Sequence, residues 1–189
     1  MSGRLGADDA GTGTSEQREL HARFATGERV TPGSDFTLVD ANGRLTGPPA
    51  TWVLSPVLGL ALEPLGKVIR YGLSLPRRAH ELVILEVARV EDSPFERYAH
   101  MRAGRAAGLS EQEIESILDG TIDGFDDPIE DAAFALARRL LTGGELRDEH
   151  FDSALATLGR PTVFDVVTLV GYYRMIAMQL RAFDIQPPD

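Results

Sequence analysis

From Pro56 onward, apolar residues recur at the three-to-four-residue interval of a helix. The intervals predict helices near 56–72, 76–91, 94–108, 111–119, 128–142, 148–158 and 161–182. The punctuation between them agrees. Ser74-Leu75-Pro76 opens one helix, and Ser110-Glu111-Gln112-Glu113 has the form of a capping box, in which a serine hydroxyl and a glutamate carboxylate each take an orphan backbone N–H. Gly108 and Gly120 stand where helix C-termini favour a residue at positive φ. No period-two run of β-branched residues intervenes, so the predicted fold class is all-α.

Before Pro56 the pattern changes. Residues 1–15 are rich in Gly, Asp, Ser and Thr and read as a disordered tail, followed by a short helix at 16–26 and one helical domain over 16–189. An irregular segment at 28–55 carries an Asn42-Gly43 turn and a Gly47-Pro48-Pro49 break. It is not polar: Phe36, Leu38, Val39, Leu45, Trp52, Val53 and Leu54 need a surface to pack on, as in a loop that wraps a partner subunit or roofs a pocket.

Two helices, 76–91 and 161–182, are apolar on most faces. Such a helix must be covered all round, and a chain of 189 residues covers two of them with difficulty, so self-association is expected. The formal charge of −10, from 19 basic and 29 acidic residues, repels phosphate backbones, and no basic stripe compensates. Nucleic acid is therefore not an expected partner. No uninterrupted apolar run reaches the roughly 18–20 residues of a membrane span, and the N-terminus lacks the apolar region of a secretory signal. A cytoplasmic protein without membrane contact is expected.

The absence of cysteine removes disulfides, thiolate nucleophiles and zinc–sulfur sites. Proton chemistry near neutral pH must use His21, His80, His100 or His150, or a perturbed carboxylate. The stretch Ser93-Pro94-Phe95-Glu96-Arg97-Tyr98-Ala99-His100 has two readings. In one, Ser93 to Glu96 is a second capping box with Pro94 at N1, and His100 is an ordinary histidine. In the other, Glu96 and His100, at i and i+4, are a reactive pair. Their face continues through Ala103, Gly104 and Ala107, small residues rather than the charges of a solvated face, which puts the pair on the buried side. Glu81 is similarly misplaced, sharing a face with Leu85 and Ala88. It is either salt-bridged to Arg77 or Arg78, or a carboxyl raised toward neutral pKa and suited to proton transfer. Two helices joined by a short turn would bring Glu81, Glu96 and His100 into one pocket.

The run from Leu75 to Gly120 resembles the core of the carboxymuconolactone decarboxylase family, which also contains the alkylhydroperoxidase D-like proteins. The shared pattern is a glutamate in an apolar helix (Glu81), a short turn, then a helix with a histidine (His100) followed by a small-residue run (Ala103-Gly104-Arg105-Ala106-Ala107-Gly108-Leu109). The likeness extends over roughly 35–185. It implies an alkylhydroperoxidase D-like bundle of about six to seven helices behind an irregular N-terminal segment, assembled as a trimer or hexamer. The family's peroxidase branch carries Cys-x-x-Cys-x-x-x-His; here that frame reads Ser93, Glu96 and His100, so dithiol peroxide reduction is excluded. Glutamate in the second cysteine's place resembles the decarboxylase branch, which removes CO2 from a carboxylated γ-lactone without metal or organic cofactor. Arg97 departs from that branch, where an aromatic often follows the glutamate.

The resemblance implies a cofactor-free lyase acting on a small carboxylated lactone or carbonyl acid. His100 would be the main proton donor, Glu81 would orient it or hold the second proton, and Glu96 would act as partner acid or base. Lactone hydrolysis, isomerisation, or a non-catalytic oligomer on the same scaffold are the alternatives. Ser93 and Arg44 are candidate substrate-binding residues. No paired Glu-x-x-His motif suggests a metal site. His80 reads as a surface or interface histidine, His21 and His150 as solvated, and Tyr172, Tyr173, Met175 and Met178 as core or interface packing.

Overall fold

A computed structural model describes residues 4–5, 13–25, 38–143 and 146–188. The disordered tail expected over 1–15 falls mostly outside these residues, as does the 26–37 portion of the irregular segment with Phe36. Among the described residues there are eight helices and no strand; one isolated bridge pairs Val39 with Leu45 across the Asn42-Gly43 turn. The helices are α1 (Ser15–Ala25), α2 (Pro48–Trp52), α3 (Pro56–Tyr71), α4 (Arg77–Val90), α5 (Pro94–Ala106), α6 (Glu111–Asp119), α7 (Pro128–Leu141) and α8 (Asp148–Ala182). From α3 on they match the periodicity closely, and the expected gap between 158 and 161 is a break inside α8, where Gly159 takes φ 73° ahead of Pro161. The helix α2 was not expected. Pro48 fits N1, where a missing N–H costs nothing, so the Gly-Pro-Pro break starts a short helix rather than only ending an extended segment.

The chain divides into two compact units, residues 1–67 with 178–189, and residues 68–177. In the first, Phe24 of α1 packs on Trp52 of α2 with ring centroids 5.7 Å apart, and the Trp52 indole N–H donates to Gln179 Oε1 at 3.1 Å. Gly59 permits this: a Cβ there would meet Leu20 Cδ2 at 2.6 Å. His21 Nε2 donates to the Gly43 carbonyl at 2.7 Å, so this histidine is half-buried and tied to the turn rather than freely solvated.

The second unit is built around α4, whose residues 79–88 are all buried. Helices α5, α6 and α7 pack against it. The polar groups on α4 are paired: Arg78 bridges Glu113 of α6 and Glu130 of α7 at 2.6 and 2.8 Å, while Glu86, fully buried, accepts from Arg89 and Arg138. The expected capping box at Ser110 forms in full, Gly120 ends α6 at φ 73°, and Asp127 caps α7. On α8 a stripe through Val163, Val166, Leu169, Val170 and Tyr173 enters the core, while Phe164 is 71% exposed. By length and composition α8 alone among the described helices could cross a bilayer, which the uninterrupted-run criterion did not anticipate. Its buried stripe is that of a core helix.

Candidate active site

Glu81 lies near the start of α4, and three residues, 91–93, separate the end of α4 from the start of α5. Asp92, at φ 47°, makes that turn tight, and Pro94 pre-sets the first residue of α5. Gly104 lets α5 approach: a Cβ there would stand 2.9 Å from Leu109 Cδ1 and 3.5 Å from Leu85 Cδ1. The small-residue face thus serves helix packing, with Leu85 and Leu109 filling the space.

Packing α5 on α4 brings the three expected residues together. His100 Nδ1 lies 2.7 Å from Glu81 Oε2, and His100 Nε2 lies 3.3 Å from Glu96 Oε2. All three side chains are nearly inaccessible, at 3–4% exposure. A carboxylate accepts, so both ring nitrogens are positioned to donate, which is the bonding pattern of an imidazolium. Burial alone would discharge His100, but the charges and hydrogen bonds of Glu81 and Glu96 outweigh it and hold its pKa above the ordinary value.

Glu81 overturns an expectation. Burial pushes its carboxyl up, yet the charge and hydrogen bond of His100, the His80 ring and the charge of Arg70 draw its pKa well below the usual carboxylate range. It is an ionised partner, not a carboxyl raised toward neutrality. Nor does it pair with Arg77 or Arg78, since Arg78 is committed to Glu113 and Glu130.

The second capping box does not form either. Ser93 is the N-cap of α5 but makes no side-chain cap bond, and Glu96 turns toward His100 instead. Ser93 is 1% exposed, and its Oγ has no hydrogen-bond partner among the described residues. Removing a hydroxyl that bonds nothing forfeits no interaction. Ser93→Ala is therefore expected to leave stability unchanged or raise it by up to about 1–3 kcal/mol, because a buried, unpaired hydroxyl is itself a cost. A loss above about 1 kcal/mol in urea denaturation would mean that the hydroxyl has a partner after all. Arg44, the other candidate for substrate binding, is exposed in the 39–45 turn of the first unit, where its backbone closes on Asp40.

Three neighbours of the trio, His80, Tyr173 and Arg70, were not assigned to the site from the sequence. His80, read as a surface or interface histidine, is 5% exposed, which overturns the surface half of that reading. Its Nε2 lies 3.0 Å from the Ile69 carbonyl, which only accepts, so that nitrogen carries a proton; its Nδ1 is 3.6 Å from Glu81 Oε1. Tyr173 sets its ring edge-on to His100, centroids 5.0 Å apart, and burial raises its phenol pKa so that it stays a neutral hydroxyl. Arg70 extends toward Glu81 from the end of α3. His80 and Tyr173 lie in apolar stretches where a polar atom is hidden by the pattern, and Arg70 lies at the end of the preceding helix, where nothing in the local spacing ties it to Glu81. His150, read as solvated, is half-buried on α8.

A cavity of about 170 Å³ has Glu81, alone of the trio, and His80 on its wall. Among the described residues, no group of three or more His, Asp or Glu is arranged to hold a metal ion.

The carboxymuconolactone decarboxylase family model matches residues 56–139, which include Glu81, Ser93, Glu96 and His100. Over that stretch the chain is similar to the carboxymuconolactone decarboxylase family. The match runs from α3 into α7, a narrower span than the 35–185 of the sequence resemblance. No curated protein matches. A crystal structure of an Agrobacterium tumefaciens protein of unknown function, described as a candidate antioxidant defence protein AhpD, superposes with a TM-score of 0.66. It is 18% identical, with 73% of this chain and 95% of that one covered. The likeness establishes an AhpD-like all-helical fold. The absence of cysteine sets this chain apart from any dithiol chemistry.

Proposed function

We propose that this protein is a cofactor-free lyase of the decarboxylase type, acting on a small carboxylated lactone or related carbonyl acid. One observation carries the reading: an imidazole buried between two carboxylates, one of which, Glu96, takes the place of a thiol in the peroxidase branch of the family this chain resembles. Loss of CO2 breaks a carbon–carbon bond and leaves its electron pair delocalised into a conjugated carbonyl. The reaction needs a donor for the developing oxyanion and one proton for carbon. Glu81, held ionised, orients the imidazolium. The Nε2 proton, on the longer 3.3 Å contact to Glu96, is the one available for transfer, and Glu96 passes a solvent proton back to the ring. Tyr173, a neutral phenol, is a further donor beside the ring. A lactonase or isomerase would use the same groups, and the products separate the three.

The test is CO2 release and ultraviolet change with γ-carboxymuconolactone and a set of β-keto acids. Turnover with CO2 formed in equal amount supports a lyase. Hydrolysed or rearranged products without CO2 point to the alternatives, and no turnover on any of them sinks the lyase reading.

Self-association as a trimer or hexamer belongs to the same proposal. Val57 and Leu58 on α3 are 74% and 62% exposed, and Phe164 on α8 is 71% exposed, more apolar surface than an isolated helix face needs. Phe164→Asp is expected to lower the oligomeric mass seen by light scattering. A wild-type protein that runs as a monomer at all concentrations would refute it.

A further inference from the structure

The geometry points to an anion-binding subsite in the cavity beside Glu81, in which Arg70 and Arg77 receive the carboxylate of a small organic acid. This rests on the reading above, whose substrate carries a carboxylate, and names the residues that select it.

The cavity is walled by Arg70, Tyr71, Leu75, Arg77, His80 and Glu81. Its volume, about 170 Å³, is close to the about 150 Å³ that holds a benzene-sized molecule in a protein interior. It is below the about 300 Å³ at which drug-sized pockets begin, so the ligand is small. Two guanidinium groups face one carboxylate on this wall, a local excess of positive charge in a chain of net charge −10. The bulk field therefore repels an anion, and this wall is where it would be held.

The two arginines differ from Arg78 and Arg89 on α4 and from three others that are committed to glutamates. Arg78, Arg89, Arg105, Arg138 and Arg174 each make an ion pair shorter than 3.3 Å with a glutamate. Among the described residues, neither Arg70 nor Arg77 makes such a pair; Arg70 bonds to Tyr71, lies 5.9 Å from that ring's centroid, and feels the charge of Glu81 at longer range. Glu81 cannot neutralise Arg70 fully, because its carboxylate is taken by His100. Arg77 occupies the first turn of α4, which holds no acidic residue and whose N-cap, Pro76, offers no side-chain cap. A cation there opposes the helix dipole, so Arg77 stands where it disfavours the fold and favours an anion. The guanidinium fork matches a carboxylate in a two-bond geometry that a lysine would not reproduce.

The experiment is calorimetric titration of the full chain with benzoate and with benzamide, which share shape and differ in charge. Benzoate is expected to bind at least tenfold tighter. Arg77→Gln, at an exposed position, should fold with an equal or higher Tm and weaken benzoate at least tenfold while leaving benzamide unchanged. Arg70→Gln should do the same to benzoate. Arg77→Lys should recover only part of the loss. Equal binding of the two probes, no binding of either, or benzoate binding within twofold of wild type in Arg77→Gln overturns the subsite. Turnover measured on the same proteins keeps the two proposals apart. Benzoate binding without turnover of any lactone or keto acid refutes the lyase and leaves the subsite. Turnover whose KM is unmoved by Arg77→Gln refutes the subsite and leaves the lyase.

Discussion

Glu81→Ala is expected to destabilise the protein by about 3–5 kcal/mol, the cost of stripping one partner from a buried ion pair. The pair sits at 2.7 Å with both side chains 3% exposed, and Ala would leave His100 with only the longer contact to Glu96. Replacing all three groups together, as Glu81→Met, Glu96→Met and His100→Leu, should be neutral or stabilising by about 1–4 kcal/mol, since no charge is then left buried. The contrast between the single and triple variants in urea denaturation is the measurement. A triple variant as unstable as the single would mean that packing, not charge, sets the cost.

The effect should depend on pH in a definite direction. His100 has a raised pKa in the folded state, so its contribution is full below its unfolded value of about 6.5 and is lost as pH rises through the folded value. Glu81 has a depressed pKa, so its contribution is full above its unfolded value of about 4.3 and is lost as pH falls toward the folded one. The pair therefore stabilises most between about pH 4.3 and 6.5. The gap between wild type and Glu81→Ala should be widest there and narrow at alkaline pH. A gap that stays constant through the alkaline range would show that His100 is not the charged partner.

The second large effect concerns turnover. If the lyase reading holds, His100→Gln should lower kcat about 10²–10⁴-fold, the usual contribution of a positioned proton donor. Glutamine is chosen over alanine because it still offers a hydrogen bond to Glu81, which limits the stability loss argued above. Glu96→Gln should lower kcat as well, with KM little changed, since it removes proton return rather than binding. Wild-type rates in a folded His100→Gln protein would reduce the trio to a buried structural network. Stability alone does not decide the matter. A buried pair costs energy to break whether or not it turns over substrate, so only the kinetic measurement separates the roles.

Much of this protein was legible along the chain, because helices are set by local signals. Apolar spacing and caps located α3 through α8 to within a few residues, and even the break at Gly159 showed as a Gly-Arg-Pro interruption. Glu81 stood out as a charge on an apolar face, and Glu96 and His100 as a pair one turn apart. The lack of cysteine excluded thiol chemistry outright. The tertiary structure decided what depends on distances between residues far apart in sequence. Ser93 and Glu96 have the spacing of a capping box, yet the carboxylate goes to His100, because that partner is buried beside it. The acidity of Glu81 runs opposite to what burial alone dictates, because His100, 19 residues on, lies 2.7 Å away. His80, Tyr173 and Arg70 join the site through the packing of α3, α4 and α8, and Arg77 faces the cavity, while Arg78 is drawn away to Glu113 and Glu130. Periodicity assigns a residue to a face; only the packed neighbours determine which charge it meets there, and so its protonation and its chemistry.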